Sequence, residues 1–418
     1  MSKSDRRCCG IDVHKETVVV CVLPPDEKQG QPTKKVYGTF RNDLARMRGW
    51  LKLLKVTAIA MESTGVYWRP VWNVLEGHGF ELILANPQQV KALHGRKSDK
   101  RDAERIAQFL QDRRLDPSFV PPPEIRRLRD LLRYRVSLLE QRNQVHNKIR
   151  DLFETANLKL SSVATDLLGV SGQNIIRALL AGETSPDRLS WKVRGRLRKK
   201  EKQVRQSMVG CFDEFHREML RLLWAQYSFL STQIEQVEAH TRQAMQPHQE
   251  LIALLDGVPG MNEIVAWTVI AELGIDMGVF PTAAHVCSWA GLCPGTNESA
   301  GKQISSSTRK GNRYLRRGLL QAAWAATNDK TTYLRVFFQR VKSRKGWGKA
   351  IVALAHKLLI IAYEVLKTKT PYYELGPDYY DQLNPEKTIQ RLVKRLGRLG
   401  VTVALPAQVM VPDTAQAV

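Results

Sequence analysis

The chain of 418 residues is poor in acid, in cysteine pairs and in long apolar runs, and each shortage excludes something. Lys and Arg number 64 against 41 Asp and Glu, a difference of 64 − 41 = +23, with a pI of about 9.9. Such an excess favours a polyanionic partner, because each phosphate neutralised releases counterions. A ribosome-associated or merely basic protein would carry the same charge. Six cysteines, at 8, 9, 21, 211, 287 and 293, form no CxxC pair and have no histidines at zinc spacing. They read as reduced, mostly buried thiols of a cytosolic protein. No secretory leader is legible, since Val18–Leu23 is too short for a signal core. The most apolar stretch, 350–366, is interrupted by His356, Lys357 and Glu364 and reads as a buried helix rather than a membrane span. No Walker signature is present. A hydrophobic content of 43% supports a folded protein, and the length suits two to three domains.

The N-terminal part alternates strands and helices, which predicts an α/β domain over 1–120. Gly10-Ile11-Asp12-Val13 leads through a turn into the β-branched run Thr17-Val18-Val19-Val20. Strands at 57–61 and 80–85 follow, and the first of these delivers Glu62. Asp12 in a strand is costly unless it meets a cation or water. Asp99 and Asp102 lie three apart near the start of a helix carrying Ile106, Phe109 and Leu110, and so face one way. Taken alone they also read as residues favoured by the helix dipole. Together with Asp12 and Glu62 they make an oxygen-rich set suited to hard divalent cations such as Mg²⁺ or Mn²⁺. This order of carboxylates resembles the ribonuclease H-like fold of RuvC-type junction resolvases.

Pro121-Pro122-Pro123 marks the exit from that domain. Apolar residues at helical intervals predict a long amphipathic helix from Glu124 to about Leu158 and a second, ending near Met245. The region 121–248 therefore reads as a coiled-coil or oligomerisation arm, either an antiparallel hairpin or a pairing with another subunit. Between the helices, Arg194-Gly195-Arg196-Leu197-Arg198-Lys199-Lys200-Glu201-Lys202 is the densest cationic run, fit for nucleic acid or for a solvated face.

In 249–370, Gly257-Val258-Pro259-Gly260 before an apolar helix resembles a helix-hairpin-helix turn, whose free N–H groups can hold a phosphate. Further on, Ser288-Trp289-Ala290-Gly291, Ser299-Ala300-Gly301-Lys302 and Arg309-Lys310-Gly311-Asn312-Arg313 follow at close spacing, with no acidic residue from Ser299 until Asp329. No histidine lies between His285 and His356, so a local Ser-His relay has little support. Residues 371–418 form an aromatic and basic tail, fit to stack on a single strand or to dock on its own domain.

Across residues 8–367 these motifs, with Asp12, Glu62, Asp99 and Asp102, resemble the DEDD insertion-sequence transposases, the insertion-sequence-one-ten family of pilin-gene invertases and RNA-guided recombinases. The resemblance implies a RuvC-like domain, a helical middle and a mainly α C-terminal domain. It implies Asp12, Glu62, Asp99 and Asp102 as metal-holding catalytic residues and Ser299 as nucleophile, with Ser305, Ser306 and Ser307 as local competitors. It also implies donor and target duplex DNA, a non-coding guide RNA, a dimeric or tetrameric assembly and action at the bacterial nucleoid. Lys97, Arg101, Arg196, Arg198, Lys199, Lys302, Arg309, Lys310, Asn312, Arg313 and Arg316 are the expected nucleic-acid contacts. A water-using metal nuclease or resolvase, and a non-catalytic RNA- or DNA-binding protein, are the alternatives.

Overall fold

The structure is a computed structural model that describes residues 6–24, 31–63, 65–85, 99–295, 297–299, 302–305 and 307–403. It divides after Pro121 into two compact units.

In the first unit β1 (Cys8–Val13) turns back into the antiparallel β2 (Thr17–Val22), and β3 (Thr33–Gly38) pairs antiparallel with β2. On the other flank β4 (Ala58–Glu62) runs parallel to β1, and β5 (Glu81–Ala85) parallel to β4. The order is β3-β2-β1-β4-β5, a mixed sheet consistent with the expected ribonuclease H-like fold. Parallel neighbours need crossover helices, and α1 (Arg41–Leu53) and α2 (Trp68–Leu75) supply them. Their buried Leu44, Met47, Leu51 and Leu75 cover one face against Ile11, Ile59 and Met61. Sequence periodicity does not mark β3, because its Lys34 and Lys35 are exposed on an edge strand, where charge blocks further pairing.

The other face is covered by α3 (Asp99–Gln111) at unusually close range. A Cβ on Gly10 would fall 2.1 Å from the Ala103 carbonyl oxygen and 2.4 Å from the Ala107 nitrogen, so only glycine lets β1 and α3 meet there. The helix runs against the direction of β1. Gln111 Nε2 donates to the Pro24 carbonyl at 3.2 Å, and next to Pro24 the Leu23 N–H bonds the Cys8 carbonyl at 3.0 Å. The last turn of α3 therefore lies at the start of β1, and its first turn at the end where β1 and β4 finish.

The second unit opens with α4 (Pro123–Thr155), whose proline at the first helical position needs no N–H partner. It stops at Thr155, short of the predicted Leu158, because Asn157 adopts φ of 56°. An insert follows with α5 (Val170–Leu180) and a 3₁₀ turn Gly195–Lys200. Helix α6 (Glu214–Ala244) then returns antiparallel to α4. Cys211 N–H bonds the Ala156 carbonyl at 2.8 Å at one end, and Arg135 Nε bonds Glu238 at 2.6 Å toward the other. The two long helices thus form an antiparallel hairpin within the chain.

The remaining chain supplies α7 (Gln249–Asp256), α8 (Glu263–Leu273), α9 (Ala283–Trp289), the hairpin β6 (Asn297–Ser299) and β7 (Lys302–Ser305), α10 (Arg313–Ala326), α11 (Tyr333–Lys345) and α12 (Trp347–Thr368). Helix α12 holds the apolar stretch 350–366 and buries Leu354, Leu358, Leu359 and Tyr363. Among the described residues no helix is long and apolar enough to cross a membrane. The Gly-Val-Pro-Gly turn is a packing joint: Gly260 has φ of 87°, and a Cβ there would sit 2.3 Å from the Ala322 carbonyl of α10. Asn262 caps α8 by accepting from Val265 N–H at 3.0 Å, which takes one of the donors the sequence reading offered to a phosphate. In the tail, Glu374 accepts from Tyr333 N–H at 2.7 Å and Tyr380 bonds the Tyr333 hydroxyl at 3.0 Å. Residues 372–380 thus dock on α11, whereas α13 (Pro385–Arg398) buries nothing. Burial raises the Cys21 and Cys287 thiols to about 11 and about 12, so both stay protonated at neutral pH, while Cys211 is exposed.

Candidate active site

The parallel register pairs Ile11 with Met61, so Asp12 and Glu62 follow side by side at the carboxyl ends of β1 and β4. Ser63 N–H bonds the Ala85 carbonyl at 3.1 Å and fixes the chain just beyond Glu62. Both carboxylates are half-buried. Asp12 Oδ2 lies 3.1 Å from His14 Nε2, a neighbour that sequence reasoning passed over. Asp102 sits in the first turns of α3, 3.6 Å from Arg105, one residue before the Ala103 that touches Gly10. The close Gly10 joint is what brings this helix start to the strand ends. Asp99 begins α3, and its side chain lies outside the described residues.

The donor chemistry fits a hard divalent ion: carboxylate oxygens, one at each of two adjacent strand ends and one in the neighbouring helix start. Among the described residues, no three His, Cys, Asp or Glu side chains converge closely enough to hold a metal between them.

In the second unit Ser299 ends β6 and pairs in register with Lys302 at the start of β7. Ser305 pairs with Asn297 inside β7, so it belongs to a strand and not to the polar loop the three serines suggest. The side chains of Ser299, Lys302 and Ser305 lie outside the described residues, as do Ser306 and Lys97 altogether and the side chain of Arg101. Below the hairpin the two chain segments cross at glycines. A Cβ on Gly291 would meet the Arg309 carbonyl at 2.6 Å, and one on Gly311 would meet Gly291 N at 2.3 Å. Gly295 N–H bonds the Ser307 carbonyl at 2.8 Å and holds the stem together.

Two of the expected nucleic-acid contacts also have internal duties. Arg316 bonds Thr308 Oγ1 at 2.8 Å and also the Gly291 carbonyl, which ties the stem to α10. Asn312 caps α10 by accepting from Tyr314 and Leu315 N–H at 3.0 and 3.1 Å, and its Nδ2 donates to Glu272 at 2.6 Å. The Asn312 carbonyl oxygen is thus taken by the cap, and one of its two amide N–H donors by Glu272. Arg313 is exposed, donates to the Tyr314 hydroxyl at 2.7 Å and lies over that ring; Arg309 and Lys310 are exposed as well. Arg196, Arg198 and Lys199 are exposed on the 3₁₀ turn.

Glu272 is the residue sequence reasoning missed. It is 2% exposed, yet it accepts from Arg133 Nε and Nη2, each at 2.8 Å, lies 3.3 Å from Arg129 Nε and accepts from Asn312. Burial works against the Arg133 charge, but the bonds to Glu272 more than offset it and hold its pKa raised. The available signal is a lone acid in the apolar run 264–273 with two arginines one helical turn apart on α4.

Comparison with known proteins agrees with this layout. Residues 9–157 match a family model described as a transposase, of the DEDD type. Residues 252–339 match the model described as "Transposase IS116/IS110/IS902 family". The transposase for insertion sequence element IS1111A of Coxiella burnetii is 24% identical over 382 residues, 89% of this chain and 92% of that protein. An insertion element IS110 protein of 43.6 kDa from Streptomyces coelicolor is 32% identical over 34% of this chain and 35% of its own length. The pilin gene-inverting protein of Moraxella bovis is 29% identical over 29% of this chain and 38% of its own length. A DEDD domain followed by this C-terminal segment defines a DNA transposase, an enzyme of strand cleavage and transfer whose DEDD domain implies dependence on a divalent metal. The chain belongs to the IS110 family of transposases.

Proposed function

We propose that the chain is the transposase of a mobile insertion sequence and works as a site-specific recombinase, with Ser299 as nucleophile and a non-coding RNA selecting donor and target. The observation that carries this reading is the placement of Asp12 and Glu62 at adjacent strand ends, with the start of α3 at the same end of the sheet. Asp12, Glu62, Asp99 and Asp102 would hold Mg²⁺ (or Mn²⁺), which when bound supplies charge stabilisation to a scissile phosphate. The chain's own part is covalent. The Ser299 hydroxyl attacks phosphorus, the P–O bond to one deoxyribose breaks, and that sugar oxygen leaves with a proton equivalent to the one serine loses. A phosphoserine link conserves the phosphodiester energy, so strand exchange needs no nucleotide cofactor. Exposed Arg309, Lys310 and Arg313 around the hairpin stem neutralise the backbone. The pilin gene-inverting relative supports recombination over simple hydrolysis.

The test is strand exchange on a donor–target pair with the element's RNA present. Ser299→Ala and Glu62→Gln are each expected to abolish exchange while duplex binding persists. If Ser299→Ala exchanges strands at the unaltered rate, the serine assignment is wrong; if it loses exchange but still cuts, the water-using nuclease is the better reading.

A further inference from the structure

The insert at the tip of the helical hairpin contains an open groove of about 570 Å³ that has no part in the chemistry above. One wall is Val163 to Asp166 with Gly169, Val170 and Ser171 at the start of α5; the other is Arg194 to Leu197 with Lys200. Its volume lies within the roughly 300–1,000 Å³ of sites that enclose an organic ligand. The walls are held in place. Ser171 Oγ accepts from Arg194 N–H at 2.8 Å and joins them at the rim, and Gly172 is fused to the Leu167 carbonyl, which a Cβ would meet at 1.8 Å.

The groove combines an apolar lining with a cationic rim. Val163, Val170 and Leu197 make an apolar lining, with Val170 71% exposed. Arg194, Arg196 and Lys200 are exposed, and among the described residues their side chains have no ion pair or hydrogen bond. From Ser190 to Arg205 the chain carries eight Lys or Arg and one Glu, and the ion pair of that run among the described residues, Arg205 with Asp187 at 3.0 Å, leaves the three lining cations out. The single carboxylate in the lining, Asp166, is turned to its own loop: Oδ1 accepts from Leu168 N–H at 3.0 Å, and Oδ2 lies against Gly169.

We infer that this groove binds an unpaired nucleic-acid strand, seating an unstacked base on the apolar lining and its flanking phosphates on Arg194, Arg196 and Lys200. Duplex nucleic acid offers phosphates but keeps its bases stacked inside, so it leaves the apolar lining wet. A single strand satisfies both surfaces at once, and guanidinium planes add a stacking face for the base. A phosphorylated or acidic peptide would pair with the cations only where it carries an acid, whereas a nucleic-acid strand repeats a phosphate on both sides of every base. The inference does not depend on Ser299 or on the identity of a guide.

The test compares fluorescence anisotropy of a labelled U-rich RNA 12-mer, the equivalent T-rich DNA 12-mer and a 12-base-pair duplex on the full chain. The triple variant Arg194→Ala/Arg196→Ala/Lys200→Ala is expected to lose single-strand affinity at least tenfold more than duplex affinity. Removing equal charge outside the lining, with Arg198→Ala/Lys199→Ala/Lys202→Ala, is expected to weaken single and double strands alike and by less than threefold. Val170→Glu keeps the fold, since an acid suits the first turn of α5, and is expected to reduce single-strand affinity as the triple variant does. Loss with only one of the two 12-mers supports the groove and identifies the sugar it accepts. Equal loss for single strands and duplex in the triple variant, or an unaltered single-strand affinity, would overturn the proposal and leave a solvated basic face.

Discussion

The arginines of α4 and the arginines of the insert share a sequence signature, basic residues interleaved with leucines, and have opposite fates. Arg129 and Arg133 are drawn onto the buried Glu272, and Arg135 onto Glu238. The side chains of Arg194, Arg196, Arg198, Lys199 and Lys200 remain exposed with no ion pair or hydrogen bond among the described residues. The first set holds the C-terminal part against the arm and fixes α10 through Asn312; the second leaves its charge for a ligand. Net charge alone therefore overstates the nucleic-acid surface, and the partners of each cation decide which ones serve it.

The sharpest way to break this contrast is Glu272→Ala. It takes the carboxylate from the buried Arg129, the half-buried Arg133 and the Asn312 amide, leaving Arg129 only the Ala271 and Glu272 backbone carbonyls, and should lower unfolding free energy by about 3–5 kcal/mol in denaturant titration. A loss below 1 kcal/mol would mean that the cluster is not structural. Asn312→Ala removes the α10 cap and one bond to Glu272, with an expected cost of about 1 kcal/mol; Asn312→Ser, which keeps a cap, should recover most of it. Arg317→Ala breaks a partly exposed pair with Glu140 and should cost no more than about 1 kcal/mol. On the other side of the contrast, Arg194→Ala/Arg196→Ala/Lys200→Ala should leave the denaturant midpoint unaltered while flattening the salt dependence of single-strand binding by about 2 in log–log slope. If that variant unfolds more easily instead, these cations belong with the structural set.

Legibility in the sequence follows the range of the interactions. The first sheet is readable because the β-branched run Thr17–Val20 and the short apolar runs leading to Asp12 and Glu62 mark strands, and strand-end carboxylates stand out locally. The two long helices were readable from their periodicity, and the buried nature of 350–366 from the three polar residues that interrupt it. The edge strand Thr33–Gly38 was not, because exposed lysines erase the alternation. Nor was Glu272, whose meaning depends on arginines about 140 residues earlier, or the internal duties of Asn312 and Arg316, which look like members of a basic patch until Glu272 and Thr308 are seen beside them. The Gly10–Ala103 joint joins residues 93 positions apart, so the convergence of α3 on the strand ends became visible only in three dimensions.

The central claim is a covalent link between Ser299 and DNA, made possible by the carboxylates of the first unit. It is tested most directly by denaturing the reaction mid-course with Mg²⁺ present, digesting the protein and identifying the DNA-bearing peptide by mass spectrometry. The account predicts one adduct, a phosphodiester on Ser299, absent from Asp12→Asn and after chelation of the metal. Cleaved DNA with no adduct, or an adduct on Ser305 or another residue, would contradict it.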